Sequence, residues 1–466
     1  MLADNILYLS VAELSQQIRS KKLTSVELTE AYLARSEKIG TRLNAYATLT
    51  RDLALKQAQQ ADSEIKAGKY RGPLHGIPYA AKDLMAVQGY ATSWGARPYA
   101  NQKFDSDATV IQKLRQAGAV LIGKAAMIEL AGGMGYRFGT ASISGPARNP
   151  WNESCWTCGS SSGSSAIVAA GLAAFSIGSE TWGSIICPSA YTGCSGLRPT
   201  YGRISRHGAM ALSYSMDKLG PMARSAEDCG LILAAIAGHD AQDPASLPAS
   251  QAAFSYSSRA TKPLRIAWLT NQWKDYAPGV ETAVRDAVDV LKKNGAHVQD
   301  AALPQGPWEP AAGVVISVEV ASAFEQLIES GRVSELVDPL GKIGGYVSQQ
   351  IDAADYVRAQ RIRRVLQKKM DQLFADFDVL AAASLPVPAT KVEANLEQEL
   401  SFSDPLGGIG NMCGLPGISV PCGFTAEKLP VGLQFVGKPL DEQSVLAAAN
   451  LFQKNTGWHK QHPALA

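Results

Sequence analysis

Two serine- and glycine-rich turns, 157–165 and 178–184, hold the residues best suited to chemistry. The first carries Ser160, Ser161, Ser162, Ser164 and Ser165; the second carries Ser179 and Ser184, with glycines at 159, 163, 178 and 183. Glycine lets the backbone take positive φ or come close to a ligand. A short Ala-rich helix and one strand are predicted between the turns. Ser184 opens a further predicted helix, Ser-Ile-Ile-Cys, with Pro188 just inside it. Such a turn aims several N–H groups at one point, beside the positive end of a helix dipole. A hydroxyl placed there has an oxyanion hole at hand. A second grouping, Cys155-Trp156-Thr157-Cys158, spells CxxC but lacks the added ligands of a metal site and reads as structural.

The surrounding elements must deliver these turns to one place. Capping boxes at Ser10–Glu13 and Thr24–Glu27 start two helices, the second stopping at Gly40, and a third spans 51–67. Residues 1–70 therefore read as an N-terminal helical layer. Strand, helix and strand follow at 77–82, 107–117 and 119–123, a spacing that implies parallel strands with crossovers. We take 71–240 as the core, 241–262 (rich in Pro, Ser and Ala) as an exposed linker, and 263–466 as the rest of one α/β domain. Within that remainder a strand at 264–269, a helix at 278–294 and a strand at 297–301 repeat the pattern. The helix 352–376 is basic along Arg358, Arg361, Arg363, Arg364, Lys368 and Lys369, which reads as a solvated face.

At 466 residues, with 46% hydrophobic and 18% charged, the chain can bury a large core. A net charge of +2 argues against a polyanion-binding surface, and no apolar run is long enough to span a membrane. Seven scattered cysteines do not make a disulfide scaffold. The opening MLADNILYLS lacks the layout of a secretory signal, so a reduced cytoplasmic protein is expected.

Residues 157–188 resemble the amidase signature family, whose pattern is roughly GGSSGGS, a dozen residues, then GSDTGGSIR-P. Gly76-Ile77-Pro78 to Lys82-Asp83 resembles that family's GIP-x-x-x-KD strand. Gly196-Leu197-Arg198-Pro199-Thr200-Tyr201-Gly202-Arg203, Leu219-Gly220-Pro221-Met222, Gly414-Leu415-Pro416 to Pro421-Cys422-Gly423, and Leu429 to Gln434 extend the match in order along nearly the whole chain. The resemblance implies a single large domain with a mixed, mostly parallel β-sheet flanked by helices on both faces. It also implies an amidase with a catalytic set of Ser184 as nucleophile, Ser160 as proton relay and Lys82 as ultimate base. A cis peptide bond is expected after Ser160. The backbone N–H groups of Thr181, Trp182, Gly183 and Ser184 would form the oxyanion hole. Met127, Met134, Tyr136, Phe138, Trp156 and Trp182 would wall the substrate pocket, favouring an aryl or alkyl amide as the small-molecule substrate, with esters within the same chemistry. No metal, cofactor or nucleic-acid partner is called for, and a homodimer is left open.

Physics makes a demand on Lys82. A free lysine has a pKa of about 10.4, so acting as a base near neutrality needs a drop of about 3 units, worth roughly 4 kcal/mol. Burial can supply it, because desolvation disfavours the ammonium. Asp83 points to the opposite face of an extended strand and need not hold Lys82 charged.

The chain departs from the family at Trp182, where a glycine is usual, at Cys158 and Ser162, also glycines, at Ile186 for arginine and at Glu180 for aspartate. Positions 180 and 186 often pair in the family, so Glu180 is expected to lack its customary partner. Three other readings compete. One is the glutaminase component of a tRNA-dependent amidotransferase. The second is an α/β-hydrolase-type esterase, with Ser161 on the Gly159–Gly163 G-x-S-x-G elbow. The third is an amidase-fold protein that only binds.

Overall fold

The computed structural model describes residues 2–258, 263–270, 276–399 and 404–465. The N-terminal helices form where their caps direct: α1 (Val11–Arg19) starts at Ser10, whose hydroxyl accepts the N–H of Glu13, and α2 (Ser25–Arg35) starts at Thr24 in the same way. After β1 (Tyr46–Leu49) comes α3 (Arg51–Lys66); each helix buries one face, α2 and α3 against the strands that follow.

That sheet has eleven strands. Strands β2 (Pro78–Lys82), β3 (Val120–Ala125) and β6 (Phe175–Glu180) run parallel, with β2 between the other two and α4 (Thr109–Gln116) in the crossover. The hairpin β4 (Arg148–Asn149) and β5 (Asn152–Trp156) stands apart as a second sheet. Beyond β6 the pairing turns antiparallel, through β8 (Lys218–Ala223) and β7 (Ser195–Arg198) to β12 (Gly417–Phe424) and β13 (Pro430–Gly437). Then β11 (Val379–Ala383) pairs antiparallel with β13 and parallel with β9 (Arg265–Leu269), and β10 (His297–Ala301) closes the far edge parallel to β9. Every residue of β2, β3, β6, β8, β11 and β13 is buried, as expected of a sheet with both faces covered. The expected α/β domain with a mixed sheet and flanking helices is what forms. Among the described residues no helix is long and apolar enough to cross a membrane.

Residues 241–258 are mostly exposed, as expected, but are pinned to the body: Asp243 and Ala252 are buried, and Arg203 donates to the carbonyls of Gln251 and Ala253 at 2.8 and 2.9 Å. Residues 259–262 of that stretch fall outside the described residues. On the helix Ala353–Asp376, Arg363 is not on a solvated face. It turns inward and donates to the Met412 carbonyl at 2.7 Å and to Ser215 Oγ at 2.8 Å.

Candidate active site

The register of β2 against β6 sets Ala81 opposite Ile177, so Lys82 emerges from the sheet beside Gly178 and Ser179. From the other side, α5 (Ser162–Ala169) begins just after Ser160 and α6 (Ile186–Thr192) just after Ser184. Two helix starts and two strand ends therefore meet at one point. There Lys82 Nζ lies 2.7 Å from Ser160 Oγ and 2.9 Å from Ser179 Oγ. Ser160 Oγ in turn donates to Ser184 Oγ at 2.9 Å. The three side chains named from the sequence are thus joined in one line. The cis peptide bond lies before Ser160, between Gly159 and Ser160, and not after it as expected.

Lys82 is fully buried, and burial carries its pKa down to about 7, against the pull of Asp217 and Glu180 toward the charged form. Asp83 faces away, as the strand geometry demands. Its carboxylate takes Lys124 Nζ at 2.8 Å and the Ser93 N–H at 3.0 Å.

Among the described residues, the N–H groups of Thr181, Trp182, Gly183 and Ser184 donate to no protein acceptor. Gly183 takes φ +78°, a conformation that suits glycine, whereas Trp182 is not among the residues with positive φ, so its Cβ brings no such backbone strain. Glu180 has no partner at 186, as expected, but it is not left unpaired. Arg198, from β7, meets it at 2.6 Å, with both groups fully buried. Asn411 adds a donor at 3.0 Å, and Glu180 Oε2 accepts the N–H groups of Ile185 and Ile186 at 2.9 and 3.0 Å. Burial works to raise the Glu180 pKa, but Arg198 and these donors hold it at about 2. Arg198 does by tertiary contact what an arginine at 186 would do locally, and Glu180 clamps the start of α6.

Ser161 is braced rather than poised. Its hydroxyl donates to the Ser179 carbonyl at 3.1 Å and accepts the Ser179 N–H at 3.2 Å. Among the described residues no histidine joins it, so the nucleophile-elbow reading loses its base.

The six expected pocket walls differ in exposure and surroundings. Met127, Met134 and Trp156 are packed in the core at 1%, 4% and 0% exposure. Tyr136 is half-buried, edge-on to Trp156 with ring centres 6.0 Å apart. Phe138 is half-buried, its N–H held by Asp338 at 3.0 Å. The Trp182 indole lies elsewhere, over Gly407 and Gly408; a Cβ on Gly407 would fall 2.4 Å from its Nε1. Sequence reasoning missed Ser179 as a Lys82 partner, Arg198 as the Glu180 partner, and Asp217. Asp217 accepts from Thr181 Oγ1 at 2.6 Å, and burial raises its pKa. Ser179 and Arg198 stand inside the recognised motifs; Asp217 carries no signal of its own.

A family model described as Amidase matches residues 27–446, so the chain belongs to the amidase family, whose members cleave amide C–N bonds. The glutamyl-tRNA(Gln) amidotransferase A subunit of Geobacter sp. (strain M21) is 36% identical over 97% of this chain and 98% of that protein. Its counterpart in Pseudomonas savastanoi pv. phaseolicola is 37% identical over 98% and 99%. The native peptide amidase of Stenotrophomonas maltophilia superposes with a TM-score of 0.85 at 31% identity, over 96% of both chains.

Proposed function

We propose that the protein hydrolyses a carboxamide C–N bond through an acyl-enzyme on Ser184. Ser184 Oγ attacks the carbonyl carbon while its proton passes to Ser160, whose own proton passes to neutral Lys82. The N–H groups of residues 181–184 stabilise the oxyanion. On collapse the proton returns through Ser160 to the departing nitrogen, and the amine leaves. Water then attacks the acyl ester along the same path and frees the acid. The observation that carries this reading is the unbroken hydrogen-bonded line from buried Lys82 through Ser160 to Ser184.

The substrate reading is an aryl or alkyl amide. A serine-directed fluorophosphonate probe and an amide library test both parts. Wild type should label at Ser184 and turn over anilides or alkyl amides, while Ser184→Ala and Lys82→Ala should do neither. Labelling that persists in Ser184→Ala would overturn the nucleophile, and a wild type that neither labels nor hydrolyses would favour the purely binding role.

The whole-length likeness to amidotransferase A subunits supports a second reading, a glutaminase serving a partner protein. Glutamine or asparagine turned over much faster than any anilide, together with co-purification of a second chain, would select it.

A further inference from the structure

The segment 206–219 and the loop after β2 enclose a cavity of about 190 Å³. Leu84, Ala209, Met210, Leu212 and Leu219 form its apolar wall, Ser179 and Thr181 also line it, and one rim carries Arg206, His207, Asp217, Gln242 and Asp243. The wall is held firmly. Met210 donates its N–H to the Leu84 carbonyl at 3.0 Å, and Leu212 donates to Asp217 Oδ2 at 2.8 Å. Outside it, Glu319 accepts the Ser215 N–H at 2.9 Å while Arg363 grips the Ser215 carbonyl at 3.0 Å.

Position decides which half of a substrate would enter. On the roles proposed above, Ser160 returns the proton to the leaving nitrogen, so that nitrogen must depart on the Ser160 side of Ser184. The cavity adjoins that end of the relay: Ser179 in its wall accepts from Lys82 at 2.9 Å, and Lys82 donates to Ser160 at 2.7 Å. We propose that this cavity receives the amine half of the substrate, and that this amine carries an aryl or short branched alkyl group.

Size supports it, since an apolar cavity of about 150 Å³ holds benzene. Polarity does too. The Asp217 carboxylate is fully engaged, taking Thr181 on one oxygen and the N–H groups of Leu212 and Ser213 on the other. Arg206 donates to the Tyr214 carbonyl at 2.8 Å. Asp217 is already engaged and the Arg206 guanidinium shares the wall, which disfavours a charged amine, and ammonia would leave the apolar wall uncovered.

The test measures kcat/KM on matched amides sharing one acyl group: the primary amide, the anilide and the 2-naphthylamide. Ala209→Phe fills the cavity and should lower the anilide-to-primary-amide ratio by about tenfold or more. Met210→Ala enlarges it and should raise the naphthylamide-to-anilide ratio. Fluorophosphonate labelling of Ser184 verifies that each variant is folded, and should Ala209→Phe not fold, Met210→Ala alone decides. Ratios that stay at the wild-type values, or a labelled wild type that prefers the primary amide to every anilide, would overturn the assignment. A wild type without labelling or any amide turnover would instead remove the catalytic reading on which it rests.

Discussion

Titrating Lys82 is the sharpest perturbation available, and kcat/KM against pH reads it directly. In the proposed mechanism the active form is the neutral amine, so the rate should rise with pH and level off above an apparent pKa of about 7. The same shift has a stability consequence. The folded pKa lies below the unfolded value of about 10.4, so between those values the unfolded chain holds the extra proton and stability rises with pH. Below pH 7 the whole penalty is present. Near neutrality it amounts to about 4 kcal/mol. Lys82→Met removes that penalty but also loses the contacts with Ser160 and Ser179, at about 1 kcal/mol each. The variant should therefore be about 2 kcal/mol more stable than wild type near pH 7, a gain that vanishes at pH ~9 and reverses to a loss of about 1 kcal/mol by pH ~10, while activity falls by about 10²–10⁴-fold. Urea unfolding at several pH values and anilide kinetics measure both. A pH profile flat from about 6 to 9, or a variant both active and less stable at neutrality, would refute the reasoning.

Other substitutions probe the scaffold. Arg198→Met strands the buried Glu180 carboxylate and should cost about 3–5 kcal/mol in urea unfolding; an unchanged midpoint would mean the pair is not buried as described. Gly407→Ala drives a Cβ to 2.4 Å from the Trp182 indole and 2.7 Å from the Asp404 carboxylate and should cost about 1–3 kcal/mol, with the Trp182 share of that cost absent when Gly407→Ala is made in a Trp182→Gly background. Simple additivity in that cycle would show the two sites to be independent. Ser161→Ala breaks the brace to Ser179 and should cost about 1–2 kcal/mol while fluorophosphonate labelling at Ser184 persists; loss of labelling would revive the elbow.

Much of the fold was legible because its signals are local. Capping boxes mark the starts of α1 and α2, and Pro278 with Gly295 brackets the helix Pro278–Lys293. Lys82, Ser160 and Ser184 were legible because their ordered motifs sit at strand ends and helix starts. The Glu180 partner was not: Arg198 lies on another strand, and β6, β8 and β7 must pair before the two meet. Arg363 misled for a related reason, since whether a basic side chain meets water or a carbonyl depends on what packs against its helix.

Residue order alone settled which groups are available: two hydroxyls on glycine-rich turns, one lysine closing an apolar strand, and an unusual tryptophan between them. Tertiary structure decided their state. Parallel pairing of β2 with β6 brought the amine to the serines, and complete enclosure lowered its proton affinity to about 7. The same packing set the Trp182 ring on two glycines and opened a small apolar cavity beside Ser179. Desolvation and contact between distant segments arise only once the sheet closes, so no local pattern could announce them.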